Sequence, residues 1–132
     1  MSGFLGTYHV NLDEKGRLNV PSKFRAILEN SYGPQLITVV MRDYLVVFPE
    51  KEWEKNESKL ENLSGLSEKD REEMRQYYAR ASECEVKSGK ILIPQSQREA
   101  VGLTKELVLV GMSKTFEIWA SERWKASGLN RL

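Results

Sequence analysis

Apolar and polar residues alternate with a period of two near the start of the chain. The apolar positions are Tyr8, Val10, Leu12, Leu18 and Val20. The alternation is interrupted by an Asp-Glu-Lys-Gly turn at residues 13–16. This pattern predicts a half-buried β-hairpin. Pro21 follows, and its fixed φ and missing N–H suit the first position of a short helix, whose apolar stripe is Phe24, Ile27 and Leu28.

Two runs rich in β-branched and aromatic residues come next. They occupy residues 36–40 and 44–48 and flank the polar segment 41–43. Such runs around a short polar segment predict a second hairpin. The first part of the chain is therefore predicted to form a hairpin, a short helix and another hairpin.

The same unit occurs twice in the chain. Residues 15–25 recur as residues 88–98, and the matched glycine, proline and arginine are each displaced by 73 positions. Residues 45–53 recur as 116–124, displaced by 71, so the second copy is two residues shorter in between. Because an isolated hairpin is marginal in water, we expect the copies to share one core as a pseudo-two-fold β-barrel.

The remaining predicted elements follow from this repeat. Strands are expected at 84–86, 91–93, 107–110 and 115–119, with Gly102 ending the second short helix. Two helices connect the copies: one at about 50–62 and one beginning at Ser67, whose side chain can cap the N–H of Asp70. The apolar stripe of the second helix is Met74, Tyr77, Tyr78 and Ala81. We expect one domain, 1–132, with repeat one at about 5–53, the helical connector at about 54–82 and repeat two at about 83–126.

Charge is distributed unevenly along a chain that is nearly neutral overall. The 132 residues carry a net charge of +1, but residues 50–73 contain nine acids and five bases, a net −4, so the remainder carries +5. One surface could attract phosphate while another repels it, and a solvated acidic helix pair explains the −4 equally well. No apolar run approaches the roughly 20 residues that span a bilayer, and no targeting segment precedes residue 7, so a cytoplasmic location is expected.

Several kinds of chemistry are not expected. Cys84 is the only cysteine, which excludes an intrachain disulfide and a Cys/His zinc cluster. His9 stands alone and is expected at the surface, and Cys84 is expected to be a small buried hydrophobe. The tryptophans Trp53, Trp119 and Trp124 are expected in core or subunit packing. No catalytic motif is present, so neither an enzyme, a metal nor a cofactor is predicted.

The two hairpin tips are the candidate functional sites. Lys15 and Arg17 flank Gly16, and the repeat places Lys87 and Lys90 around Gly89. Cations on projecting turns can reach phosphates or groove edges, although the glycines could simply supply positive φ beside solvated charges. Arg25 and Arg98, matched by the repeat, are expected to be structural, with Asp13 as a plausible acidic partner.

The segments 13–17 and 20–25, with 89–94 and 117–119 of the second copy, resemble the bacterial MraZ family. The resemblance runs from about residue 3 to 124 and includes the duplication and the connector. It implies a mainly β fold with helices, similar to the swapped-hairpin barrel of AbrB-type DNA-binding proteins. It also implies ring-like homo-oligomers, associated with the nucleoid, that bind tandem repeats in double-stranded DNA upstream of the cell-division and cell-wall gene cluster.

The second copy departs from the family signature, which is Asp, three residues, then Arg. Asp13 and Arg17 satisfy it, but Val86 stands where the second aspartate is expected, the stretch appears one residue shorter, and Lys90 replaces the arginine. Gln97 occupies the position where Phe24 predicts an apolar residue. The second tip is therefore expected to bind DNA more weakly or to be distorted. The alternative function is a protein-interaction or antitoxin-like module with the acidic connector as its binding face.

Overall fold

The computed structural model describes residues 3–131, so residues 1, 2 and 132 of the expected domain lie outside the described part. The strands are β1 Thr7–Asn11, β2 Arg17–Asn19, β3 Gln35–Val40, β4 Tyr44–Pro49, β5 Ala81–Lys87, β6 Lys90–Leu92, β7 Glu106–Gly111 and β8 Phe116–Ala120. The α-helices are α1 Ser22–Ile27, α2 Glu50–Glu57, α3 Glu68–Tyr78, α4 Gln95–Ala100 and α5 Ser121–Ser127. Short π or 3₁₀ turns occupy Leu28–Tyr32, Ser58–Leu60 and Leu129–Arg131. Both copies thus contain the predicted hairpin, helix and hairpin.

The two repeats exchange their first hairpins. β1 pairs with β7 of the second repeat, and β5 pairs with β3 of the first, all antiparallel. β2 and β6 pair with each other, and so do β4 and β8. The strand order is β1-β7-β8-β4-β3-β5-β6-β2, and the end strands β1 and β2 are joined by the first turn and a bridge between Leu12 and Leu18. The result is a nearly closed barrel, as the expected swapped-hairpin fold requires.

One hydrophobic core fills this barrel and draws side chains from both repeats. Its fully buried members include Phe4, Leu18, Phe24, Leu36, Leu45, Ile91, Ile93, Leu107, Phe116 and Ile118. Two smaller clusters lie outside it: Trp53 packs with Ile37 and Val39, while Trp119 and Trp124 pack with Val108. The expected packing role of the tryptophans is confirmed.

The connector differs from its predicted form in length and burial. α2 ends at Glu57, and α3 ends at Tyr78, so Ala81 belongs to β5 rather than to a helical stripe. α3 contains no buried residue and packs against Trp53 of α2 through aromatic contacts, with Tyr77 and Tyr78 at centroid distances of 5.4 and 6.2 Å from Trp53. The predicted cap is present, because Ser67 Oγ accepts a hydrogen bond from the N–H of Asp70 at 3.3 Å.

Gln97 is buried although the repeat predicts an apolar residue there. Its Oε1 accepts a hydrogen bond from the hydroxyl of Thr38 at 2.6 Å, and its Nε2 donates to the carbonyls of Thr38 at 3.0 Å and Arg80 at 3.2 Å. The strand offset of 71 places Leu109 where the first repeat has Thr38. The two repeats thus differ at both equivalent positions. Gln97 faces the polar Thr38, whereas their counterparts Phe24 and Leu109 lie in the same apolar core. A buried polar group is tolerated here because its hydrogen bonds are satisfied.

This polar contact can be tested by stability. Thr38→Val removes the donor to Gln97 Oε1 and should lower the free energy of unfolding by about 1–3 kcal/mol, since a buried acceptor loses its partner. Adding Gln97→Leu should recover part of that loss, with a coupling of about 0.5–3 kcal/mol in urea unfolding. Thr7→Val, on the exposed start of β1, is the matched control. Additive effects of the two core substitutions would contradict this account.

Candidate functional site

The first turn closes the β1–β2 hairpin with a three-residue loop, 14–16. The N–H of Asp13 donates to the carbonyl of Arg17 at 2.8 Å, and the N–H of Gly16 donates to the carbonyl of Asp13 at 3.0 Å. Gly16 has φ +86°, a backbone conformation that residues with a Cβ rarely adopt. Lys15 is exposed at the tip, and the Arg17 side chain is 41% exposed at the start of β2.

The carboxylate of Asp13 organises this turn from within. Its Oδ1 accepts the N–H groups of Lys15 and Arg17, both at 2.9 Å, and its Oδ2 accepts Nε–H of Arg17 at 2.9 Å. These bonds favour the ionised form, with the Arg17 backbone N–H the largest contributor, and they hold the pKa of Asp13 below its ordinary value. Asp13 therefore fixes both the turn and the base of the Arg17 guanidinium.

The second turn is one residue shorter, and this changes which residues face each other. Ser88 and Gly89, at φ +52° and +75°, form a two-residue loop of the kind that matches strand twist. Lys87 pairs with Lys90, while Val86 pairs with the buried Ile91 and packs against the core. The expectation that Val86 replaces the family aspartate is wrong: Lys87 lies opposite Lys90, as Asp13 lies opposite Arg17.

The second turn consequently has a different electrostatic character. Two lysines stand where the first turn has an aspartate and an arginine. Lys87 Nζ contacts Glu85 Oε1 at 3.1 Å, and the Lys87 side chain is 79% exposed. No carboxylate within residues 3–131 forms an ion pair with Lys90. The second turn therefore presents two cations on flexible stems rather than one held guanidinium.

β2 and β6 bring the two turns into one surface. Arg17 pairs with Leu92, Leu18 with Ile91 and Asn19 with Lys90. The middle pair is buried and the outer two pairs face outward, so we define the ribbon face as Arg17, Asn19, Lys90 and Leu92. Arg17 and Lys90 lie two positions apart, about 7 Å along the ribbon. The two turns leave this ribbon at opposite ends.

The sequence did not single out Asn19 and Leu92 as part of this surface. The alternation of apolar and polar positions already placed Asn19 on the face of Arg17, and Leu92 on the face of Lys90. The pairing that joins these two faces follows from the register between β2 and β6, which crosses between the repeats. Leu92 is 54% exposed, so the ribbon face also offers an apolar contact.

Asp13 is not the partner of Arg25 or Arg98. Its Oδ1 accepts two backbone N–H groups, and its Oδ2 accepts Nε–H of Arg17. The guanidinium of Arg98, on α4, instead lies over Gly16, and that of Arg25, on α1, lies over Gly89. Each arginine thus contacts the turn of the other repeat. Gly16 is buried as a result, although both of its neighbours at the tip are less covered.

Two residues singled out for reactivity have ordinary environments. His9 is exposed on β1, as expected. Cys84 is half-buried against the core, and burial raises the pKa of its thiol to about 12, so it is protonated at neutral pH. Within residues 3–131, no group of three His, Cys, Asp or Glu side chains is placed to hold a metal ion. No helix in that part of the chain is long and apolar enough to cross a membrane.

A barrel of two exchanged hairpins, each ending in a glycine turn that carries two cations, defines the class of two-repeat swapped-hairpin proteins. A family model described as "MraZ protein, putative antitoxin-like" matches residues 4–76 and 77–127. The chain belongs to the MraZ family, and the two matches together cover both repeats.

Curated relatives agree with this assignment over most of their length. The chain is 40% identical to the transcriptional regulator MraZ of Syntrophobacter fumaroxidans, over 93% of this chain and 83% of that protein. It is 40% identical to that of Lachnoclostridium phytofermentans, over 98% of this chain and 89% of the relative. It is 43% identical to that of Ligilactobacillus salivarius, over 93% and 85% respectively.

The role of Asp13 can be tested by titrating its carboxyl carbon by NMR. The midpoint should lie below the ordinary 3.8, so the turn gains stability above that value and loses it as the pH falls through the lowered pKa. Arg17→Ala removes the side-chain bond and the charge but keeps the backbone donor, so the midpoint should rise and still remain below 3.8. Lys90→Ala, on the other turn, should leave it unchanged. A wild-type midpoint at or above 3.8 would contradict the geometry.

Proposed function

We propose that this chain is a DNA-binding transcriptional regulator that contacts duplex DNA with its ribbon face and the two adjoining turns. The observation that carries the proposal is the β2–β6 pairing, which places Arg17 and Lys90 on one outward face between Lys15 and Lys87. The names of the relatives as transcriptional regulators support it. A two-stranded ribbon fits the major groove of B-DNA.

The two turns would contribute different kinds of contact. Asp13 holds Nε of Arg17, and the two Nη groups form no hydrogen bond with residues 3–131, so they are available for a bidentate contact with a guanine edge. Lys90 has no carboxylate partner of this kind within residues 3–131, and its ammonium group acts as a point charge suited to phosphate. Arg17 is therefore the proposed carrier of base preference, and Lys15, Lys87 and Lys90 the proposed phosphate ligands.

Each subunit offers few cations, so we propose binding through several subunits at once. The net charge of +1 gives little general attraction to DNA. A homo-oligomer, as a ring, on tandem DNA repeats makes each later contact intramolecular. Control of the cell-division and cell-wall gene cluster from such repeats, in the cytoplasm at the nucleoid, is part of the proposal. The proposal also includes the division of one domain into repeat one at about 5–53, the helical connector at about 54–82 and repeat two at about 83–126. The proposed role needs no catalysis and no cofactor.

The contributions of the two turns are separable by mutation. The operator is the DNA that carries the proposed tandem repeats. Arg17→Ala should weaken binding to the operator by about 1–3 kcal/mol per engaged subunit and relax base preference. Lys90→Ala should weaken operator and scrambled DNA about equally and reduce the salt slope by roughly one ion per lost contact. Binding is measured for both duplexes across a salt series.

Lys125→Ala provides the control for this comparison, because it removes one exposed cation from α5 on a different element. It should leave both base preference and salt slope close to those of the wild type. If Lys90→Ala abolishes operator preference while Arg17→Ala preserves it, the second turn is the specificity-determining one and the assignment is wrong.

Assembly is tested by sedimentation. At micromolar concentration the protein should sediment as a species of several subunits, and operator affinity should fall when one of two tandem repeats is scrambled, because avidity is lost. Monomers that bind a single repeat as tightly as a tandem pair would refute the multivalent mechanism.

Protein binding through the acidic connector is the alternative function, and one cleft favours it. A cleft of about 390 Å³ is lined by Trp53, Tyr78 and four glutamates. These are Glu50, Glu54, Glu57 and Glu83. A column of immobilised duplex DNA tests the regulator against this alternative: retention at low salt that disappears at high salt supports the regulator, and flow-through at low salt contradicts it.

A further inference from the structure

Gly16 is buried at the tip of a hairpin, where solvent exposure is the ordinary state. The cover is the guanidinium of Arg98, and a Cβ added at Gly16 would collide with its Nη1 and Cζ atoms and lie 3.1 Å from Nε. The second turn shows the same arrangement with the repeats interchanged. A Cβ added at Gly89 would lie 2.8 Å from Nη1 and 3.3 Å from Cδ of Arg25.

The carbonyl groups of the same two glycines form a second link between the repeats. The carbonyl of Gly16 accepts the N–H of Ile93 at 2.9 Å, and the carbonyl of Gly89 accepts the N–H of Val20 at 2.9 Å. Ile93 directly precedes Pro94 and the helix that carries Arg98, and Val20 stands in the same relation to Arg25. We define the first latch as Gly16, Ile93 and Arg98, and the second latch as Gly89, Val20 and Arg25.

Neither arginine forms an ion pair with a carboxylate within residues 3–131. Each guanidinium instead lies against a glycine backbone, where the absence of Cβ permits close approach. The first latch is the more enclosed of the two, because Arg98 is half-buried over a buried Gly16, whereas Arg25 is exposed over a half-buried Gly89.

We infer that each DNA-contacting turn is positioned by the arginine of the other repeat, with Arg98 positioning the first turn and Arg25 the second. The consequence for DNA rests on the proposed function, whereas the latches belong to the free protein. Arg98 acts through the turn that presents Arg17, so a substitution in the second repeat changes base preference encoded in the first. Arg98 and Arg25 are thus positioning residues.

Amide hydrogen exchange in the free protein tests the latches without DNA. Arg98→Ala should accelerate exchange at Gly16 and Ile93 by about fivefold or more, as expected for loss of a modest interaction, and spare Val20. Arg25→Ala should accelerate exchange at Val20 and spare Gly16 and Ile93, so each variant is the matched control of the other. Acceleration in the turn of the variant's own repeat, or equally in both turns, would overturn the inference.

A second pair of variants preserves the test if the alanine variant fails to fold. Arg98→Met and Arg25→Met keep most of the apolar stem and remove the guanidinium. They should give the same crossed pattern of exchange. Exchange rates equal to those of the wild type in both methionine variants would show that the guanidinium groups do not position the turns.

Operator binding then tests what the first latch does. Arg98→Ala should reduce the ratio of operator to scrambled affinity in the wild type and in Lys90→Ala, but add nothing to Arg17→Ala, because it acts through Arg17. An equal loss on both duplexes, with a salt slope lower by about one, would make Arg98 a direct phosphate ligand and overturn its positioning role. If the wild type binds no duplex, the proposed function fails, and hydrogen exchange alone decides whether the latches exist.

Discussion

The exchange of hairpins between the two repeats is the constraint on which the rest of the structure depends. β2 and β6 have three residues each and find their partners across the repeat boundary. The longer β1 and β5 likewise pair with β7 and β3. Since a lone hairpin cannot bury enough apolar surface to be stable, each repeat completes the sheet of the other. Buried residues from both halves then form one continuous core.

Because contacts cross between repeats, the two copies can diverge wherever a substitution is matched on the other side. Gln97 differs from its counterpart Phe24, and it is accommodated by the hydroxyl of Thr38 in the first repeat. The turns have diverged in the same manner: one contains an aspartate bound to an arginine, and the other a pair of lysines. The crossed strand pairing is retained in both copies, while the two turns differ in loop length and in chemistry.

That inequality is physical as well as chemical. In the first turn, three hydrogen bonds to Asp13 fix the loop and one side of the Arg17 guanidinium before any ligand arrives. Such preorganisation lowers the ordering cost of a directional contact. In the second turn the loop is tight and Lys87 contacts Glu85 at 3.1 Å. The compact ammonium groups of its two lysines suit contacts that follow charge rather than direction.

The sequence by itself determined the presence of the strands, the two short helices, the duplication and the family, because the alternation, the Gly and Pro positions and the Ser67 cap depend on neighbours in the chain. The sequence located both turn glycines and both short helices, and it predicted that the tryptophans pack. It did not determine that Lys87 rather than Val86 faces Lys90, since that depends on the register in which β5 and β6 pair on either side of the shorter loop. Nor did it show Arg98 over Gly16 or Thr38 against Gln97. These contacts join residues at least 59 positions apart, and only the crossed pairing of strands brings them together.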